Sequence, residues 1–231
     1  MNLLAFDTST ERLSVAVQRA DGRRFEHAGA GGPQASQALI PTVQALLAQA
    51  RLPLDALRAI VFGRGPGSFT GLRTACSVAQ GLAYGAGVPV LPVDTLLAVA
   101  EAARRSHGAT QVLALLDARM GEVYSAAWAH AQGAWVAQAD TVVGPPESLR
   151  LPAGAGWVLA GNAFAPYAAR LPAALASLPR IEALPTAVAL LDLAPALLAA
   201  GRAVAADQAL PLYIRDKVAQ TEAERAAAAG R

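Results

Sequence analysis

Alternating apolar and polar positions predict three strands at the start of the chain. An apolar run at residues 3–6 ends in Asp7, and residues 13–17 then place apolar side chains at every second position. Both patterns are typical of strands. Asp21-Gly22 is a turn dipeptide of the hairpin type, so residues 23–27 are predicted to form a third, antiparallel strand.

Helical and strand patterns follow the three strands in alternation. Residues 33–50 carry apolar side chains at helical spacing, with Pro41 as a predicted kink. Further along, the pattern predicts a strand at 59–62, a glycine-rich loop at 63–71, a helix at 72–84, a strand at 88–92 and a helix at 95–105. This order predicts a mixed sheet flanked by helices, and it resembles the ribonuclease-H-like half of actin-like proteins.

The second half of the chain repeats the beginning of the first. A buried strand at 112–116 ends in Asp117, as the first strand ends in Asp7. A hairpin-like pair is predicted at 122–128 and 135–141, followed by a strand at 157–160 and a helix at 186–200 that Pro195 interrupts. We interpret this as a diverged duplication with two lobes, an N-terminal one at 1–105 and a smaller C-terminal one at 106–217. Residues 218–231 lack apolar periodicity and are predicted to be a flexible tail.

Composition narrows the classes of protein that fit. Hydrophobic residues make up 54% of 231 residues, and only 5% are aromatic, which is typical of a folded α/β protein with small aliphatic side chains inside. The sequence shows neither a membrane-length apolar stretch nor a signal peptide, so a cytoplasmic location is expected. A single cysteine, Cys76, excludes an intramolecular disulfide. A net charge of +2, without a clustered basic face, argues against DNA binding.

The glycine-rich loop is the strongest candidate for a ligand site. Gly65, Gly67 and Ser68 precede a predicted helix, where backbone N–H groups can face an anion. The alternative is structural: the glycines permit a tight turn and Ser68 or Thr70 caps the helix. The loop has neither a P-loop sequence nor G-x-G-x-x-G spacing.

The two aspartates that end the repeated strands have two interpretations as well. In nucleotide-binding proteins of the actin-like class, the aspartate after the first strand orients a metal and phosphate group. We favour the simpler interpretation, in which Asp7 accepts hydrogen bonds from the backbone of the following turn. Asp117 is interpreted in the same way, with Arg119 as a candidate partner.

The sequence gives little support for a metal site, a catalytic nucleophile or a reactive thiol. His27, His107 and His130 are too far apart in sequence for a local metal-ligand pair, and each is interpreted as a surface residue. Ser68 could be considered as a nucleophile, but Gly67-Ser68-Phe69-Thr70-Gly71 departs from the G-x-S-x-G of a nucleophile elbow and has no histidine placed to serve it. Cys76 is interpreted as a packed small hydrophobe.

The two predicted helices at 33–50 and 72–84 have more apolar surface than docking on one sheet requires. We therefore predict a four-helix interface with a partner of the same fold. The residues predicted for it are Leu39, Val43, Leu46, Leu72, Ala75, Cys76, Ala79 and Leu82.

Four segments carry a resemblance to a known family. Residues 63–73 read GRGPGSFTGLR, residues 117–124 read DARMGEVY, residues 7–10 read DTST and residues 211–215 read PLYIR. In this order they are similar to the motifs of the TsaB (YeaZ) family, and they span nearly the whole chain. One departure is notable: many members have a histidine early in the first helix, where this chain has Gln34-Ala35-Ser36.

The resemblance implies an actin-like (ASKHA, ribonuclease-H-like) fold and a non-catalytic scaffold or activator subunit. Such a subunit supports threonylcarbamoyl transfer to adenosine in tRNAs that read codons beginning with A. The implied partners are the catalytic paralogue TsaD and the ATPase TsaE. Alone, the chain is expected to be a homodimer without a cofactor, with tRNA contacted only through the complex and ATP or ADP allowed at the partner interface. The alternatives are a degenerate actin-like ATPase and, least favoured, a glycoprotease-like peptidase.

Overall fold

The computed structural model describes residues 1–215. Eleven strands and six helices are found in this range. The strands are β1 (Leu3–Asp7), β2 (Arg12–Gln18), β3 (Arg24–Ala30), β4 (Ala59–Gly65), β5 (Val90–Asp94), β6 (Gln111–Arg119), β7 (Glu122–Ala131), β8 (Ala134–Ala137), β9 (Val142–Gly144), β10 (Val158–Gly161) and β11 (Arg180–Glu182). The helices are α1 (Ala35–Ala50), α2 (Phe69–Ala86), α3 (Thr95–His107), α4 (Phe164–Tyr167), α5 (Ala173–Ala176) and α6 (Ala187–Ala199).

The strands form two mixed sheets with the same topology. The first has the order β3-β2-β1-β4-β5 and the second β8-β7-β6-β10-β11, with β9 added beside β7. In each sheet a central strand pairs antiparallel with the next strand in the chain and parallel with a later one. The predicted α/β architecture of two mixed sheets flanked by helices is confirmed, and the repeat of the strand order agrees with an internal duplication.

Helices cover the first sheet on both faces. Buried side chains of α1 and α2 pack on the face that presents Phe6, Ile60 and Phe62. The opposite face, which presents Leu3 and Val61, is covered by α6. Helix α3 packs against the second sheet and against α6, so α3 and α6 form a layer between the sheets.

The position of α6 corrects the predicted lobe boundaries. The sheets do separate between β5 and β6, but residues 106–217 do not form a self-contained C-terminal lobe. Helix α6 returns to the first sheet, and Val204 forms a bridge with Val90 of β5. The uniformly apolar sequence of α6 could not show which sheet it covers. The predicted tail at 218–231 lies outside the described residues.

Two predicted element boundaries differ from the structure. Helix α2 begins at Phe69, inside the segment predicted as loop, because Ser68 caps it. Helix α6 continues through Pro195, so the predicted interruption there is wrong; the loss of one backbone hydrogen bond at an exposed proline bends a helix more readily than it ends one. Within residues 1–215, no helix is both long and apolar enough to cross a membrane.

Candidate functional site

A cavity of about 570 Å³ lies between the two sheets, near the carboxyl ends of β1 and β6. This volume is within the range of small-molecule pockets. Its walls come from the β1–β2 turn, the start of α2, the end of β6 and the C-terminal part of the described chain. The polar and aromatic residues that line it include Ser9, Glu11, Ser68, Phe69, Asp117, Arg119, Tyr124, Asn162, Tyr213 and Arg215.

The β1–β2 turn holds Asp7 in a fully buried position. One carboxylate oxygen, Oδ1, accepts hydrogen bonds from the backbone N–H and the hydroxyl of Ser9, at 2.9 and 2.7 Å. The other, Oδ2, has no partner among residues 1–215 and lies against Gly63. Burial raises the pKa of Asp7 to about 6, against the opposing effect of the Ser9 hydrogen bonds. The observed contacts are those of the turn interpretation, and Asp7 is not part of the cavity wall.

The glycine-rich loop packs directly on this turn. A Cβ atom on Gly63 would lie 1.8 Å from Asp7 Oδ2, and one on Gly71 would lie 1.9 Å from the carbonyl oxygen of Thr8. Thr8 in turn donates its hydroxyl hydrogen to the Gly71 carbonyl at 2.7 Å. These glycines are therefore required by the approach of two backbone segments of the same chain.

The four weak ligand candidates are separated by the structure. Gly67 and Ser68 line the cavity, whereas Asp7 and Gly65 do not. The backbone N–H of Ser68 donates a hydrogen bond to the carbonyl of Ser9 at 2.7 Å. The Ser68 hydroxyl caps α2 by accepting a hydrogen bond from the Gly71 N–H at 3.4 Å. Gly65 lies at φ +125°, a backbone conformation that suits glycine. A Cβ atom on Gly67 would lie 2.5 Å from the carbonyl oxygen of Ser9, so each of the four residues has a structural explanation within the chain itself.

The second sheet contributes a more polar wall. Asp117 Oδ1 accepts hydrogen bonds from the Arg119 N–H at 2.7 Å and the Tyr167 hydroxyl at 2.8 Å. Arg119 also pairs with Asp117 Oδ2 at 3.1 Å, as proposed from the sequence. The Asn162 side chain accepts from the Asp117 N–H at 2.9 Å, and Tyr124 is nine-tenths buried, with a pKa that burial raises.

An aromatic and cationic cluster stands at the rim of the cavity. The Phe69 and Tyr213 rings are 5.6 Å apart, and the Arg73 guanidinium lies 3.7 Å from the centre of the Phe69 ring. Arg73 Nε also donates to the Tyr213 hydroxyl at 3.0 Å. Tyr124 and Tyr213 lie in the segments 117–124 and 211–215 that carried the family resemblance, but they were not predicted as site residues, and Asn162 was missed altogether. Nothing in their local sequence shows that the fold brings them to one cavity.

The remaining candidates are dispersed. His27 lies on β3, His107 at the end of α3 and His130 on β7, and none of them lines the cavity. Within residues 1–215 no group of three or more metal-ligating side chains is found. Cys76 is buried and its thiol lies 3.2 Å from the Ala209 carbonyl oxygen, where burial raises its pKa.

The predicted interface residues need correction. Leu39, Val43, Leu46, Leu72, Ala75, Cys76 and Ala79 are all buried against the chain's own first sheet, and Leu82 is partly buried. The apolar stripe therefore identified the inner face of α1 and α2. Their outer face carries other residues: Ile40, Gln44, Ala45 and Ala48 on α1, and Arg73, Ser77, Gly81, Tyr84 and Gly85 on α2.

Two mixed sheets of the same strand order, with paired helices between them and a cavity at the strand ends, define this chain as an α/β protein built from two similar halves. The family model that matches residues 31–223 is described as TsaD, tRNA N6-adenosine threonylcarbamoyltransferase. A relative from Escherichia coli, tRNA threonylcarbamoyladenosine biosynthesis protein TsaB, is 38% identical over 227 residues, covering 95% of this chain and 96% of the relative. The chain belongs to the TsaB (YeaZ) family.

Solved structures give the same result. YeaZ from Pseudomonas aeruginosa superimposes with a TM-score of 0.85 at 42% identity, covering 92% of this chain and 99% of that one. A second TsaB relative, from Haemophilus influenzae, is 44% identical over 124 residues, which is 54% of this chain and 52% of the relative. The resemblance in the four sequence segments is confirmed.

Proposed function

We propose that this chain is a cytoplasmic scaffold or activator subunit without a catalytic site of its own, which supports formation of threonylcarbamoyladenosine in tRNA. The observation that carries the proposal is the match to TsaB over 95% of the chain. The partners we propose are the catalytic paralogue TsaD and the ATPase TsaE, with tRNA contacted only through the complex. Alone, the chain is proposed to form a homodimer.

The state of the cavity supports a role other than catalysis. Three of its four charged side chains are paired: Asp117 with Arg119 inside the cavity, and Arg215 with Glu122 beside it. The fourth, Glu11, is in no ion pair within residues 1–215. Ser68 serves as the cap of α2. A general base or nucleophile has to be free to reach a substrate, and the paired side chains and Ser68 are committed to holding turns and helix ends.

The outer face of α1 and α2 supports a protein partner. Gly81 and Gly85 lie in the middle and last turns of α2, and a Cβ atom on either would meet nothing within 4 Å. A glycine inside a helix costs about 1 kcal/mol relative to alanine, and the chain's own packing gives no reason for either one. Close approach of a partner's helices gives such a reason. Ile40 and Tyr84, at 43% and 86% exposure, supply apolar contacts beside them.

The first test is reconstitution of tRNA modification with purified TsaD, TsaE, the synthase that makes the threonylcarbamoyl donor, ATP, threonine and bicarbonate, with and without this chain. We expect modification to depend on the chain. Equal modification in its absence, or modification by this chain alone, would contradict the proposal.

The partner surface is tested by Gly81→Arg, which places a long cation on the outer face without touching the core. We expect loss of TsaD binding in a pull-down and a circular dichroism melting temperature no lower than that of the wild type. Ala174→Arg, on exposed helix α5 of the second sheet's side, is the matched control and is expected to bind normally. Binding by Gly81→Arg at the wild-type level would contradict this surface. A substitution at Ala79 is unsuitable, because that residue is fully buried.

A further inference from the structure

Within residues 1–215 the chain crosses between the two sheets three times. The first crossing leads from α3 into β6 and the second from β11 into α6, and both involve helices packed between the sheets. The third crossing is the segment Leu210–Arg215, which we call the strap. Four of its residues form a wall of the cavity: Leu212, Tyr213, Ile214 and Arg215.

The strap is fastened to the first sheet and α2 at its beginning. The Leu212 N–H donates to the carbonyl of Arg64, next to the end of β4, at 2.7 Å. The Tyr213 hydroxyl accepts from Arg73 on α2 at 3.0 Å, and the Tyr213 ring stacks beside Phe69. One backbone bond and one side-chain cluster therefore hold this end.

The other end of the strap is fastened to the second sheet. Ile214 packs against the buried side chains of that sheet. The Arg215 guanidinium donates to the Ala118 carbonyl at 3.2 Å and to the Glu122 carboxylate, and it lies against the Met120 sulfur. With only 16% of its side chain exposed, Arg215 is held more firmly than a surface ion pair, since charge-assisted hydrogen bonds gain strength away from water.

We propose that the strap is a latch that fixes the separation of the two sheets around the cavity, with Arg215 as its release point. Separating the sheets at the cavity requires either end of the strap to detach. The end at Leu212 is held by a backbone bond and the aromatic cluster, whereas the other end depends on the contacts of one guanidinium and one isoleucine. The proposal concerns the isolated chain and does not depend on the function proposed above.

The test is a distance measurement across the cavity by pulsed electron paramagnetic resonance. Spin labels are placed at cysteines introduced for exposed Glu26 on β3, away from the outer face of α1 and α2, and exposed Ala174 on α5. Cys76 is replaced by alanine, and the labelled chain is diluted with unlabelled chain so that only distances within one chain contribute. The latched chain is expected to give one narrow distance distribution. Arg215→Ala is expected to give a broader distribution with a longer mean.

The matched control is Arg170→Ala. Arg170 also binds a glutamate, Glu147, and a carbonyl, that of Gly121, but all of these residues belong to the second sheet's side. Its removal is expected to leave the distribution unchanged. Glu122→Gln weakens the latch from the opposite side and serves if Arg215→Ala fails to fold. Wild-type distributions in folded Arg215→Ala or Glu122→Gln would overturn the proposal.

Discussion

The two sheets present the same aspartate-to-backbone hydrogen bond in two different environments. Asp7 at the end of β1 and Asp117 near the end of β6 each accept a hydrogen bond from the backbone N–H two residues further on, at 2.9 and 2.7 Å. Asp117 lies at the cavity and has Arg119 and Tyr167 as further partners. Asp7 is sealed under the glycine-rich loop, and one of its oxygens has no partner in residues 1–215.

This difference shows how a duplicated motif can diverge while one local hydrogen bond is kept. The connections themselves differ, since Arg119 and Met120 have positive φ and residues 8–11 do not, and the covering segments decide what each carboxylate can contact. In the first half, the loop from β4 to α2 covers the turn; in the second half, the corresponding connection from β10 to β11 contains only the short helices α4 and α5. The side of the cavity formed by the second sheet is therefore the more polar one.

The largest effect is expected when the halves are separated. A fragment of residues 1–107 lacks α6, whose fully buried Leu190 and Leu191 cover one face of the first sheet. Each fully buried leucine contributes about 2 kcal/mol, a large part of the stability of a small domain. We expect the fragment to show no cooperative thermal transition in calorimetry, in contrast to the whole chain. A fragment that melts cooperatively would show that the first half is independent of α6.

The next effect concerns the pH dependence of stability. The pKa of Asp7 is raised from 3.8 to about 6 in the folded chain, so the folded state binds more protons than the unfolded state in this window. The contribution of the protonated Asp7 carboxyl to the free energy of unfolding is therefore complete below pH 3.8 and is lost as the pH rises through 6. At 1.36 kcal/mol per pKa unit, the loss amounts to about 3 kcal/mol.

Asp7→Asn removes this titration. The measurement is denaturant unfolding between pH 4.5 and 7.5, roughly the window in which the carboxyl ionises. As the pH rises, the free energy of unfolding of the wild type is expected to fall relative to that of the variant. If the free energies of unfolding of wild type and Asp7→Asn change in parallel with pH, the inference that burial raises the pKa of Asp7 would be contradicted.

Much of the fold could be predicted because local patterns determine it. The alternation in β2 and the turn at Asp21-Gly22 are sufficient to place a meander, and a second strand ending in Asp117 is sufficient to suggest the repeat. The burial of β1 on both faces is also visible in its continuous apolar run. Where α6 packs could not be predicted, since its sequence is apolar on every side and fits either sheet.

The residues of the cavity were harder to predict from the sequence than the fold. The glycine-rich loop was recognised, but Gly63 and Gly71 owe their identity to contacts with Asp7 and Thr8, which are more than fifty residues away in the chain. The predicted interface failed for a related reason. Apolar periodicity finds the face of a helix that packs on its own sheet, whereas Ser77 and Gly81 on the proposed partner surface are not apolar and give no such signal.

The smallest effect is expected at Gly81 and separates the two roles of α2. Gly81→Ala adds a methyl group in open space and is expected to stabilise the isolated chain by about 0.5–1 kcal/mol, because alanine loses less conformational entropy in a helix. Gly71→Ala, in the first turn of the same helix, is expected to lower the stability instead, because its methyl group would collide with the Thr8 carbonyl. Urea unfolding of both variants measures the contrast. If Gly81→Ala raises stability yet weakens TsaD binding, the glycine is retained for the partner; if it raises stability and leaves binding unchanged, the outer face of α2 is not a close helix contact.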